Sequence, residues 1–161
     1  MKLDTLSDIE LVRLYPALLR ELKRRGVIRT RNLVGELGKF IVRQTFNSNS
    51  DLNRLSDAPT SQKNYSFSDA SGDRYNLKTT SGKNTGVFHS VPIVADAAPS
   101  FEKLIILMFS NDYKAEIIYM ISWDDFIWLR QIKKPEGKWY VQINEELISR
   151  AVKVKPLLQF S

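Results

Sequence analysis

The sequence predicts an α+β protein in which helices come first and strands follow. Apolar residues recur at helical spacing from Ile9 to Ile41, and period-two alternation takes over at Tyr65. The later strands are broken by short capped helices rather than by long helices in regular alternation, which is an α+β pattern.

The elements can be justified in order. Ser7 is a good N-cap, and Asp8 and Glu10 sit in the first turn, where the helix dipole favours acids. Ile9, Leu11, Val12, Leu14, Leu18, Leu19 and Leu22 then form the apolar side. Pro16 interrupts this helix and is expected to bend it. Gly26 is its expected end, after Lys23, Arg24 and Arg25. A second helix is expected from Asn32, with Leu33, Val34, Leu37, Phe40 and Ile41 as one stripe and with Gly35 and Gly38 allowing close packing. Asn47 to Asn64 is rich in Asn, Ser and Asp and reads as an irregular loop.

The strands start at YSFSDASGDRYNLK (65–78), which reads as a hairpin with a polar turn at Ala70-Ser71-Gly72-Asp73. Tyr65 and Phe67 alternate with Ser66 and Ser68, and Tyr75 and Leu77 alternate with Asn76 and Lys78. Ser66, Asn76 and Lys78 are therefore expected on one face, opposite the apolar residues. TSGKNTG (80–86) reads as a connector, and VFHSVPIV (87–94) as strand or coil. KLIILMF is a buried strand by its unbroken apolarity, and YKAEIIYMIS returns as a longer one after the SND turn. Ser122 caps a short helix through Trp128, KPEGK is a turn, WYVQI a last strand, and NEELISRAV a last helix capped by Asn144. The strands are expected to run antiparallel.

Composition narrows the function classes. A length of 161 residues suits one domain, taken as 1–161. There is no cysteine, so no disulfide framework and no thiolate zinc site. His89 is the only histidine, which excludes a histidine-rich metal site and a histidine triad. The N-terminus lacks a signal-peptide pattern and the longest apolar run, Leu104–Phe109, is too short for a bilayer, so a cytoplasmic location without membrane contact is expected. Lys and Arg number 24 against 18 Asp and Glu, a net charge of +6. That excess reads either as a solvated basic surface or as the footprint of a polyanion. It is densest at KRRGVIRTR (23–31) and at Arg130, Lys133, Lys134 and Lys138. The tryptophans Trp123, Trp128 and Trp139 read as core or subunit packing.

The hairpin also carries a resemblance. Its short first strand, the turn Asp69-Ala70-Ser71-Gly72 and the run Tyr75-Asn76-Leu77-Lys78 are similar to the core of the PD-(D/E)XK nuclease superfamily, nearest to its small homodimeric type II restriction endonucleases. The likeness continues through KLIILMFSNDYKAEIIYMIS and the helix–strand tail to Trp139, and so covers most of the chain. The stretch ELVRLYPALLRELKRRGVIRTRNLVGELGKF resembles uncharacterised bacterial domains of the same superfamily. The resemblance implies a restriction endonuclease-like fold, with a central mixed or antiparallel sheet flanked by helices. It also implies double-stranded DNA and a second copy of the chain as partners, and Mg²⁺ as cofactor if the protein is active. The catalytic positions it marks are Lys78, Glu36 on the second helix, and Ser66 and Asn76, which stand where relatives carry acids. Glu36 and, weakly, Asp69 are the candidate metal ligands. Glu36 reads equally well as a surface glutamate paired with Lys39 or Arg43.

Metal-assisted phosphodiester cleavage needs carboxylates for Mg²⁺ and a group near the metal to orient water. A serine hydroxyl and an amide oxygen do not replace two charges. The expected function is therefore DNA binding on a degenerate nuclease fold, with Arg24, Arg25, Arg29, Arg31, Lys83 and His89 as DNA-contact candidates. His89 matches a base-reading segment of the relatives or is a plain loop histidine. The alternative is a Mg²⁺-dependent endonuclease with an atypical site. A third possibility is a subunit that contacts only protein, as in an anti-phage system.

Overall fold

A computed structural model of the chain describes residues 2–94 and 98–157. After a short 3-10 turn at Leu3–Thr5, helix α1 spans Asp8–Arg24. Its start is a capping box: the Ser7 hydroxyl accepts from the Glu10 N–H, and the Glu10 carboxylate accepts from the Ser7 N–H at 2.8 Å. Pro16 lies inside one continuous helix, and Gly26, at φ 69, terminates it in the left-handed region that glycine tolerates. Helix α2 spans Leu33–Asn47, with the Asn32 carboxamide oxygen accepting from the Gly35 N–H at 3.2 Å.

The strands are β1 (Ser56–Asp57), β2 (Phe67–Ser68), β3 (Arg74–Thr80), β4 (Lys103–Phe109), β5 (Ala115–Ser122), β6 (Gln131–Lys133), β7 (Lys138–Tyr140) and β8 (Val152–Val154). Helix α3 (Trp123–Leu129) follows β5, and α4 (Glu145–Arg150) precedes β8, with Ser122 and Asn144 as their caps. Six strands form one mixed sheet in the order β1-β2-β3-β4-β5-β8, flanked by helices; β6 and β7 form a separate hairpin. The α+β class is as the sequence predicts, and the mixed sheet is one of the two forms that the resemblance implies.

Several details differ from the sequence reading, among them β1, which lies inside the segment read as an irregular loop, and β6, which was not foreseen. The central pair β3–β4 is parallel, with Asn76 beside Leu104 and Lys78 beside Ile106. Parallel neighbours need a long crossover, and residues 81–102 supply it. Of the WYVQI segment only Trp139 and Tyr140 are strand, as part of β7, which pairs with β6 away from the main sheet. The chain then adds β8 at the sheet edge, too short and too ordinary in sequence to be foreseen.

Strand β4 explains its own composition. Leu104 and Ile106 pack in one apolar cluster, with Phe88, Phe101, Phe126 and Leu147. Ile105 and Leu107 pack in another, with α2 residues Ile41, Val42 and Phe46 and with Phe67 and Tyr75. All four β4 side chains are fully buried, so a strand covered on both faces must be apolar throughout. Helix α2 thus covers the face bearing Tyr75 and Leu77, and the crossover with α3 and α4 covers the other. Among the described residues, no helix is long and apolar enough to cross a membrane.

Candidate functional site

Strand alternation puts Asn76 and Lys78 on the face away from α2, where the crossover passes over them. Together they form a cleft of about 270 Å³ lined by Lys63, Asn76, Lys78, Phe88, His89, Ser90 and Val91. Lys78 is its chemical centre. Its Nζ donates to the Val87 carbonyl at 2.9 Å and stands 4.5 Å from the centre of the Phe88 ring. Burial pushes its ammonium below the usual lysine range. Asn76 is buried, and its Nδ2 donates to the Asn64 carbonyl at 2.9 Å, so the residue also ties down the loop that brings Lys63 to the cleft.

Ser66 is drawn into the hairpin instead. Its N–H donates to the Tyr75 carbonyl at 2.7 Å and its Oγ accepts from the Leu77 N–H at 3.2 Å. The hydroxyl repairs the ladder where β2 starts, and Ser66 does not line the cleft.

Glu36 lies outside the cleft as well. It sits on α2, and α2 packs on the opposite face: a Cβ added to Gly38 would meet the Thr79 Cγ2 at 2.4 Å, and Thr79 alternates with Lys78 along β3. Glu36 is buried, with Oε2 accepting from the Arg29 N–H at 2.7 Å and Oε1 3.5 Å from the Lys39 Nζ. The expectation of a carboxylate beside Lys78 is thus corrected. Glu36 does pair with Lys39, but as a buried residue, and it braces the α1–α2 link.

Asp69 is saturated. It accepts from the Ser71 N–H and Oγ, the Asp73 N–H, the Asn53 Nδ2 and the Tyr75 hydroxyl. Burial would raise its pKa, but the bonds from Ser71, Tyr75, Asn53 and Asp73 outweigh that and hold it at about 2. Tyr75 is pushed up to about 12, by burial first and then by its bond to Asp69. Asp69 is the anchor of the hairpin turn.

The donors present do not fit Mg²⁺. Among the described residues no carboxylate lines the cleft, and no group of three or more Asp, Glu or His could hold a metal ion. What the cleft can do is bind an oxyanion. Lys63, Lys78 and His89 supply positive charge or donors, and Ser90 adds a hydroxyl.

The DNA-contact candidates do not form one surface. Arg24 and Arg25 both pair with Glu21, each at 2.6 Å. Arg29 stands 3.8 Å from both Glu36 and Asp57, on the α2 side, and Arg31 lines a groove against Tyr15 and Leu19 of α1. Lys83 and His89 are on the crossover, on the other side. Lys63 and Ser90 were missed in the sequence, because the Asn76–Asn64 bond brings the loop of Lys63 to the cleft and the parallel pairing of β3 with β4 carries the crossover with Ser90 over Lys78. No protein-family model matches the chain, and no curated protein matches it.

Proposed function

We propose that the protein binds double-stranded DNA on a restriction endonuclease-like frame whose catalytic acids have been replaced, and that it does not cut. The observation that carries this reading is the cleft over Lys78, which is lined by Lys63, Lys78 and His89 with no carboxylate among the described residues. A desolvated lysine with no acid beside it among the described residues is matched by a phosphate. A metal would add charge of the same sign. The basic excess of the chain supports the same class of partner.

We further propose that the DNA-binding form is a dimer that pairs through α1. Helix α1 has no buried residue, and Val12, Tyr15 and Leu18 are 72%, 58% and 57% exposed. Its first turn carries Asp8 and Glu10 and its last turn Lys23 and Arg24. Laid antiparallel on a second copy, acidic and basic ends face each other across a two-fold axis.

The test is titration of a fluorescent duplex at several salt concentrations, beside incubation of supercoiled plasmid with Mg²⁺ and with Mn²⁺. The expected result is binding that weakens steeply with salt and plasmid that stays intact. Metal-dependent nicking that disappears in Lys78→Ala would replace this reading with the endonuclease one.

A further inference from the structure

We infer that the β6–β7 hairpin is a second DNA-contacting element, which receives the phosphates of the duplex beyond those held in the cleft. This rests on the DNA-binding reading above.

Hairpin register places Lys133 directly opposite Lys138, and Lys134 lies at the tip beside them. Like charges facing each other across a strand pair are destabilising. The nearest relief is Glu136, 4.0 Å from the Lys133 Nζ, a distance at which an exposed pair contributes little. A hairpin that keeps three lysines at one end, at a cost to its own pairing, is built to meet negative charge. Gly137, at φ 63, closes the tip, with its N–H donating to the Lys133 carbonyl at 2.8 Å.

The opposite face of the hairpin locks it to the cleft. Trp139 is half-buried, its Nε1 donates to the Pro92 carbonyl at 3.0 Å, and the Arg130 guanidinium lies 4.2 Å from the centre of its ring. The crossover pairs along β7 and beyond: the Phe88 N–H donates to the Trp139 carbonyl at 2.8 Å, the Thr85 N–H to the Val141 carbonyl at 2.9 Å, and the Ile143 N–H to the Lys83 carbonyl at 2.7 Å. Phe88 is the residue whose ring lies under Lys78. Cleft and hairpin are thus joined through Phe88 and Trp139, one residue from Lys138, while Lys83 pairs at the far end of this ladder, beside Ile143. A polyanion seated on Lys78 and extending past Phe88 and Trp139 meets Lys138 and the rest of the lysine tip. Phosphates at regular spacing along a duplex fit that arrangement.

The variant to test is Lys133→Gln/Lys134→Gln/Lys138→Gln. Its affinity for a duplex should fall at low salt, and the slope of log K against log salt should shrink by up to about 2.7, at about 0.9 for each phosphate no longer neutralised. Its melting temperature should not fall, because the opposed charges are removed. Lys2→Gln/Lys114→Gln/Lys155→Gln removes the same charge elsewhere and should leave the slope unchanged. An equal fall in that control would overturn the inference. So would a hairpin variant that binds like the wild type while Lys78→Met binds weakly, although DNA binding at the cleft would then stand. A wild-type protein that ignores duplex DNA would remove both. Displacement of the duplex by poly-glutamate at equal charge would point to an acidic protein partner and also overturn the inference.

Discussion

Lys78 carries a charge where water is scarce, with one carbonyl and one ring face for company. Such a residue favours ligand binding over stability. Its folded pKa lies below the 10.5 of an exposed lysine, so between those two values the unfolded chain holds more protons. Stability should therefore rise with pH across that window, and DNA affinity should fall across it as the ammonium deprotonates. Lys78→Met removes the buried charge and keeps the apolar stem. We expect a melting temperature equal to or above that of the wild type, a flatter stability profile on the alkaline side, and a salt slope for duplex binding smaller by about 0.9. Thermal melts across alkaline pH and anisotropy titrations check this. A clear loss of stability would mean that Lys78 is a structural residue.

Helix α2 lies against β3 closely enough that two of its residues set the geometry. Replacing Glu36 with alanine leaves the Arg29 N–H without its acceptor and Lys39 without its partner, while the Arg29 guanidinium keeps Asp57. The expected cost is about 1–3 kcal/mol by urea denaturation, with duplex affinity unchanged. Loss of DNA binding in a still-folded Glu36→Ala protein would return Glu36 to the site. Gly38 gives a sharper test of the packing. In an open helix, Gly→Ala stabilises by about 1 kcal/mol. Here the new Cβ would meet the Thr79 Cγ2, so Gly38→Ala should destabilise instead, by about 1–3 kcal/mol. In a Thr79→Ser background that methyl is gone, and Gly38→Ala should become neutral or stabilising. Additive effects in this double-mutant cycle would contradict the close approach.

For the whole molecule, the sheet is a partition. The cleft, the crossover and the lysine hairpin lie on one side, and α2 with the Arg29–Glu36–Asp57 cluster lies on the other. Basic residues on the α2 side are largely committed to carboxylates, so net charge overstates the free cationic surface. Helix α1 stands apart with its apolar side uncovered; Leu3, Leu11, Leu14, Tyr15, Ala17 and Leu18 line a groove along it. If a second copy covers that side, Leu11→Glu/Leu18→Glu should convert a sedimenting dimer into a folded monomer. Because both residues are exposed within one chain, the thermal stability of that monomer should barely change. A wild-type protein that already sediments as a monomer at high concentration would dismiss the dimer.

The sequence alone was enough for whatever near neighbours decide. Ser7, Asn32, Ser122 and Asn144 announce their helices because a cap acts within one turn. The unbroken apolarity of β4 announces burial on both faces, and the two-residue period of a strand already puts Asn76 and Lys78 on the same side. What it could not contain is the outcome of distant meetings. The parallel pairing of β3 with β4 depends on which edges meet once the loops close. That pairing alone brings the crossover, with Phe88, His89 and Ser90, over Lys78. Ser66 has the right parity for the cleft, yet an irregular start to β2 turns its hydroxyl into the ladder. Glu36 has the right residue type on the right helix, but Arg29 and Lys39 claim it on the far face of the sheet. Burial, partner and direction are properties of the packed chain. The tertiary structure therefore decided that a hairpin spaced like a metal site presents a cationic cleft.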